Sequence, residues 1–188
     1  SMGWVGAGGN GGAGIVAGSG SHLANSGSIA GGSGGQVGID PGYGNFFGPG
    51  PNPAIGALTA GHGGAGAILT GGAVLTNSGS IAGGLGGDGT QADAIDLSGG
   101  SNVLILEAGS TIAGNVVSAG GDTLAFGGDT DASFDAGSIG AQYQGFAQFM
   151  KGDSSTWTLT GPASVSGAWL VFGGGLVLNN GGGTGYTG

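Results

Sequence analysis

Apolar residues recur at every second position in short runs along this chain: Ile95 and Leu97, Leu104 and Leu106, Leu124 and Phe126, Trp157 and Leu159, Leu176 and Leu178. A period of two places successive apolar side chains on one face of an extended segment, which predicts short strands with one face buried. Gly-Ser, Gly-Gly and Asn-Ser pairs break the runs and predict turns between them. Helix is not expected. Glycine costs about 1 kcal/mol per helical position relative to alanine, and few ten-residue stretches lack it.

The pattern is written twice. The octet NSGSIAGG occupies Asn25 to Gly32 and again Asn77 to Gly84, and Gly9–Gly35 matches Gly61–Gly87 at 17 of 27 positions without a gap. The matches include Leu23/Leu75, Asn25/Asn77 and Ile29/Ile81. Leu75 and Ile81 flank Asn77-Ser78-Gly79, a trio that favours a bend because asparagine and glycine tolerate positive φ. Asn25 and Asn77 therefore read as corners between two strands. Echoes follow in GSTIAG (Gly109 to Gly114) and GSIG (Gly137 to Gly140), so that the isoleucines fall at 29, 81, 112 and 139. Spacings of 31 and 27 read as one rung each, and 52 as two.

A lone rung exposes both backbone edges and has almost no core, whereas rungs stacked about 4.8 Å apart pair their backbones and align Leu on Leu and Ile on Ile. The expected fold is all-β, a right-handed single-stranded parallel β-helix of about seven to nine rungs, about 35–45 Å long. Residues 3–148 are expected to form rungs, with a loop at 41–53 where Pro41, Pro49, Pro51 and Pro53 exclude a regular central strand. Tyr43, Phe46 and Phe47 in that loop read as a small binding surface or as a flap folded onto the side of the helix, and the flap is the favoured expectation because exposed aromatic patches are uncommon. Residues 149–188 complete the same solenoid. Ser1 and Met2 read as a cloning remnant, and the chain reads as a fragment.

Composition sharpens this picture. Glycine supplies 54 residues, yet Leu, Ile, Val and Phe supply 40, gathered in clusters such as VLIL and WLVF. Glycine at this density without a strict overall three-residue period argues against collagen, and the apolar clusters argue against disorder. The chain has nine Asp, one Glu, one Lys and no Arg, for a formal net charge of −9. Lys151 alone cannot displace phosphate counterions, so nucleic acid is not an expected partner. There is no cysteine, hence no disulfide and no thiolate metal site. No apolar run approaches the roughly 20 residues of a membrane-spanning helix, and the Ser-Met-Gly-Trp start has neither the basic region nor the apolar core of a signal peptide.

Candidate chemistry is sparse. A Ser-His-Asp triad would need His22 or His62, which align in the repeat with Val74 and Asn10, so neither belongs to the tile itself. Asp93 with Asp96, or Asp129, Asp131 and Asp135, could supply paired carboxylates for glycan cleavage. No arginine or lysine lies near them to handle a uronate, and they read more simply as solvated turns. The calcium-binding β-roll repeat needs Asp at its sixth position, where this chain has Val16, Ile68 and Gln91. Asp88, Asp93 and Asp96 are left as a candidate set for a single calcium. The expectation is no enzyme, no cofactor and no metal.

The N-S-G-S-I-A-G-G tile resembles the rungs of autotransporter passenger domains, the surface-exposed part of type V secreted proteins. Closer still, Phe149-Met150-Lys151-Gly152, Ser155 to Gly161 (STWTLTG) and Gly174-Gly175-Leu176-Val177-Leu178 resemble the family's C-terminal autochaperone repeat. Departures are modest: Met150 adjoins the lysine, and the Thr-Tyr-Thr-Gly loop appears only as GYTG at Gly185 to Gly188. The resemblance implies a passenger stem on the bacterial cell surface, reached through the periplasm and outer membrane, whose partner is an outer-membrane β-barrel later in the same polypeptide. It implies that the C-terminal rungs fold first and assist export, and Trp157, Leu159, Trp169, Leu176 and Leu178 are expected to form that nucleus. Two alternatives stand beside it: an adhesin binding host or neighbouring-cell surfaces or associating with itself, and the stalk of an enzyme lying N-terminal to Trp4.

Overall fold

The computed structural model describes residues 6–38, 58–162 and 168–179. The prolines and aromatics of the 41–53 loop, the two N-terminal residues and the GYTG segment lie outside them. The strands fall into successive levels. The first holds β1 (Ile15–Ala17), β2 (His22–Asn25) and β3 (Ser28–Ala30); the second β4 (Ala67–Thr70), β5 (Val74–Asn77) and β6 (Ser80–Ala82). The third holds β7 (Ile95–Ser98), β8 (Val103–Leu106) and β9 (Thr111–Ala113); the fourth β10 (Val116–Ser118), β11 (Thr123–Phe126) and β12 (Ala132–Asp135). The fifth holds β13 (Tyr143–Gln144), β14 (Gln148–Lys151) and β15 (Thr156–Thr160), and β16 (Ala168–Val171) and β17 (Gly175–Asn179) lie beyond it.

Except between β9 and β12, each strand of one level pairs in parallel with its counterpart in the following level, from the first level to the fifth. Among the described residues this gives four open sheets, ordered β1-β4-β7-β10-β13, β16-β14-β11-β8-β5-β2, β3-β6-β9 and β12-β15-β17. The protein is thus all-β with stacked parallel sheets, a β-helix-like arrangement. β9 and β12 do not pair, so the third face is broken between levels three and four.

The register aligns like side chains. Leu23, Leu75, Leu104, Leu124, Phe149 and Trp169 form one column across six strands, and Ile29, Ile81 and Ile112 another. Leu75, Leu104 and Leu124 are fully buried, each contributing about 1.5–3 kcal/mol of apolar burial. Alternate residues face outward, which is the origin of the period of two.

Three expectations need correction. The octets at Asn25 and Asn77 are adjacent, His22 to Asn25 lying directly on Val74 to Asn77; 52 residues therefore make one level, not two. With six strands in the longest sheet, the described stack is about 24 Å long, shorter than expected. GSIG at Gly137 to Gly140 is not a strand in the isoleucine column, because Ala136–Ser138 forms a 3-10 turn capped by Asp135.

Among the described residues, part of the missing length goes into glycine. Segments 6–14, 31–38, 58–66 and 83–87 run beside the first two levels, joined by backbone hydrogen bonds that recur every third residue. Gly8, Gly11 and Gly14 donate to Thr59, His62 and Ala65; Gly32, Gly35 and Gly38 donate to Gly12, Gly9 and Gly6. Gly61 and Gly64 donate to Gly35 and Gly32, and Gly84 and Gly87 to Gly64 and Gly61. A bonding period of three belongs to the extended threefold helix, about 9 Å per triplet. The first and third segments run parallel to each other and antiparallel to the second and fourth. A Cβ added at Gly11, Gly31, Gly64 or Gly84 would overlap the carbonyl oxygen of a neighbouring segment. None of these glycines is in the left-handed region, so they serve close approach alone. The two tiles therefore extend sideways into a four-segment bundle whose interior is backbone.

Candidate functional site

The segment that carries the closest resemblance lies at the heavy end of the core. Early levels are filled by Ala67, Leu69, Leu75 and Ile81, whereas Phe126, Phe134, Tyr143, Phe149 and Trp157 fill the later ones. Phe126 is the hub. Its ring centroid lies 4.9 Å from Phe134, 4.9 Å from Trp157 and 5.8 Å from Trp169, and Trp169 stacks on Phe149 at 5.0 Å. Edge and offset contacts of this kind add about 0.5–1.5 kcal/mol per pair beyond burial. The Trp157 indole Nε1 donates to the Gly127 carbonyl at 3.0 Å, removing the penalty of a buried donor.

The five expected nucleus residues separate here. Trp157 and Leu159 are buried; Trp169 and Leu176 are half-buried against the core. Leu178 lies in register with Leu159 but is 46 % exposed, because β17 carries no further strand on its other side among the described residues. It is not a core residue. Leu170, Val171, Phe172 and Val177 are also exposed at this end.

Asn25 and Asn77 do mark corners, by a mechanism other than the expected one. Neither they nor Gly27 and Gly79 have positive φ. Their side chains form a buried ladder instead: Asn25 Nδ2 donates to Asn77 Oδ1 at 2.7 Å, and Asn77 Nδ2 donates to Ser110 Oγ at 2.6 Å. Asn25 Nδ2 also donates to the Ser80 carbonyl, and Asn25 Oδ1 accepts the Gly27 amide. Asn77→Ala should cost about 1–3 kcal/mol by taking the acceptor from one Asn25 Nδ2 hydrogen and the donor from Ser110 Oγ, read as a lowered urea midpoint at unchanged m-value.

A second polar column, unseen in the sequence, holds the corner before β8 and β11. Asp122 is fully buried. Its Oδ1 accepts the Asn102 amide and side-chain nitrogen at 2.8 and 2.9 Å, and its Oδ2 accepts the Ser118 hydroxyl at 2.6 Å. Asn102 Oδ1 then accepts the Ala73 amide one level away. Buried polar groups satisfied in this way fix the corner.

Lys151 is fully enclosed, with its ammonium donating to the Gly152 carbonyl and 3.5 Å from the Gly173 carbonyl. Desolvation pushes its pKa down, opposed by the charges of Asp153 and Asp131. Burial likewise pushes the Tyr143 phenol up to about 12. The unfolded phenol ionises near pH 10, so this stabilisation is complete below pH 10 and is lost as pH rises towards 12. The loss should be about 2–3 kcal/mol. Tyr143→Phe should abolish the Tyr143 share, seen by comparing urea unfolding of the two chains from pH 9 to pH 12.

The candidate catalytic groups do not converge. His22 is exposed on β2, and His62 is exposed in the glycine bundle, where its amide donates to Asn10 Oδ1. Asp131 Oδ1 accepts the Thr156 amide, Asp135 Oδ1 the Gly137 amide and Asp153 Oδ2 the Gly128 amide. Asp88 Oδ1 accepts the Thr90 amide, and this bond foremost holds its carboxyl below the usual range. Asp93 accepts Asn115 Nδ2. Asp88 and Asp135 act as turn acceptors, whereas Asp93, Asp131 and Asp153 accept from residues 22 to 25 positions away. Among the described residues no group of three His, Cys, Asp or Glu could hold a metal ion, so Asp88, Asp93 and Asp96 do not form the candidate calcium site. His62, Thr90, Gln91 and Asp93 line an open hollow of about 250 Å³. No family model, curated protein sequence or solved structure matches the chain.

Proposed function

We propose that this chain is part of a bacterial autotransporter passenger, a right-handed single-stranded parallel β-helix that serves as a surface stem and assists its own export. The observation that carries this reading is the gradient of the core. The interior passes from alanine, leucine and isoleucine in the first levels to a joined cluster of six aromatic residues in the last three, and the resembling motifs lie in that cluster. Right-handed connection is the near-universal choice between parallel strands of one sheet. A stack whose levels need only their neighbours can fold from one stable end, and a cysteine-free chain cannot be locked by disulfides on the way. On this reading the chain has no enzymatic activity and no cofactor. Its partner is an outer-membrane barrel of the same polypeptide, and its place is the cell surface.

The test is export. With the chain joined to an outer-membrane barrel, Trp157→Ala should lower the fraction reached by external protease several-fold, whereas removal of residues 6–38 should lower it little. Equal export of the Trp157 variant and the parent would defeat the reading.

One observation favours an adhesin as the second reading. The outward face of the six-stranded sheet presents Val74, Thr76, Val103, Ile105, Met150 and Leu170 with no Asp, Glu, Lys or Arg. A face without charged side chains suits a neutral glycan or matrix surface, and retention of the isolated chain on such a surface would favour this reading over a bare stem.

A further inference from the structure

Three glycines of the first tile have no visible reason to be glycine. Gly9, Gly12 and Gly27 are exposed, and none is in the left-handed region. A Cβ on any of them would meet no described atom within 4 Å. Alanine would fit all three and would cost less conformational entropy on folding.

Their counterparts one tile later explain them. Gly61, Gly64 and Gly79 stand 52 residues on, in the same places of the repeat. There a Cβ would overlap the carbonyl oxygens of Gly9, Gly12 and Gly27 respectively. The second tile needs glycine at these points because the first tile lies against them. Its amides are also used across that contact: Gly61 and Gly64 donate to Gly35 and Gly32, and Ser78 donates to Asn25. Gly9, Gly12 and Ser26 occupy the corresponding places on the open side and make no such bond among the described residues.

We infer that the open face of the first tile is an acceptor site for a further copy of the chain's own tile, the segment of residues 9–35. It would enter parallel, as the first tile lies on the second. The incoming tile would align Asn25 with its own Asn25 equivalent, extend the asparagine ladder and lay its glycine triplets over Gly9 and Gly12. Recognition is by backbone and absent side chains, not by charge: the three positions leave room for a chain to approach within carbonyl contact. The occupant is therefore another such tile, and the 52-residue unit is an extensible module. The last level does not offer such a surface, since β16 and β17 end in exposed Leu170, Val171, Phe172 and Val177.

The test uses a chain lengthened by a second copy of residues 9–60 placed directly before Gly9, with hydrogen exchange read residue by residue. In the parent, the Gly61 and Gly64 amides report a covered tile and those of Gly9 and Gly12 an open one. In the lengthened chain, exchange at the original Gly9 and Gly12 should slow by about 100-fold or more, towards that of Gly61 and Gly64. The triple variant Gly9→Ala, Gly12→Ala, Gly27→Ala should not lower the parent's melting temperature, yet should abolish this protection in the lengthened chain. The inference is overturned if the added copy leaves positions 9 and 12 unprotected, if the alanines are tolerated beneath it, or if the addition also exposes Gly61 and Gly64. It is equally overturned if the parent doubles its mass in solution and the triple variant does not, because the face would then serve whole-chain pairing.

Discussion

Replacing Trp157 by alanine is expected to destabilise the protein by about 3–5 kcal/mol, the range for removing a buried aromatic from a packed core. Three losses combine. The indole is 3 % exposed, so its removal empties a large interior volume. Phe126 loses a ring neighbour at 4.9 Å while Phe134 and Trp169 remain on its other sides. The Gly127 carbonyl loses the indole donor but keeps the Ser155 hydroxyl at 3.2 Å, so it is not orphaned. The cost should therefore come from packing, and Trp157→Phe, which keeps the ring and drops the donor, should recover most of it. Urea midpoints of the three chains at one pH decide this. A midpoint for the alanine variant equal to the parent would remove Trp157 from the core, and with it the aromatic cluster as the stable end.

How far the sequence reads true depends on which physical rule governs each position. Where a side chain must be hidden, the period of two is reliable: Ile95 and Leu97, Leu104 and Leu106, and Leu124 and Phe126 are all buried. The rule fails at Leu178, whose pattern is that of Leu159 but whose level has no described neighbour to cover it. Periodicity states which face a residue occupies, and only the stack states whether that face is covered. The octet likewise revealed a tile and a corner but misled about their height, since the distance between copies measures chain length, not levels. Among the described intervening residues, 31–38 and 58–66 run in opposite directions through the glycine bundle. Its local triplets at Gly8, Gly11 and Gly14 were in plain view, but the absence of an overall three-residue period hid them. The Asp122–Asn102 corner left no local signal at all, because its bonds join residues 20 apart whose spacing follows no repeat. As for candidate chemistry, the scarcity of cations and the scattered carboxylates were legible from composition. The turn amides that occupy Asp88 and Asp135, and the distant Thr156 amide that occupies Asp131, were not.

The largest effect is expected from adding two methyl groups. Gly61→Ala together with Gly64→Ala should open the glycine bundle, at up to about 3 kcal/mol for each overpacked site. At both positions the neighbour in the way is backbone, the Gly9 and Gly12 carbonyls, and backbone cannot rotate aside as a side chain can. Nor can the segments simply separate, because Gly61 and Gly64 each accept or donate within the same ladder: their amides bind Gly35 and Gly32, and their carbonyls accept Gly87 and Gly84. Moving segment 58–66 by the width of a methyl would break bonds to segments on both sides at once. The conformation itself would tolerate alanine, since neither φ is positive, so any loss must come from the approach of the chains. A matched control follows from this. Gly9→Ala with Gly12→Ala makes the same change, again outside the left-handed region, where a Cβ meets no described atom, and should be neutral to slightly stabilising. If both pairs of substitutions leave hydrogen exchange at Gly32, Gly35, Gly84 and Gly87 unchanged, the segments do not approach as closely as their bonding requires. If only the inner pair releases those amides, the bundle holds by backbone contact alone, and glycine is its packing residue much as leucine is that of the sheets.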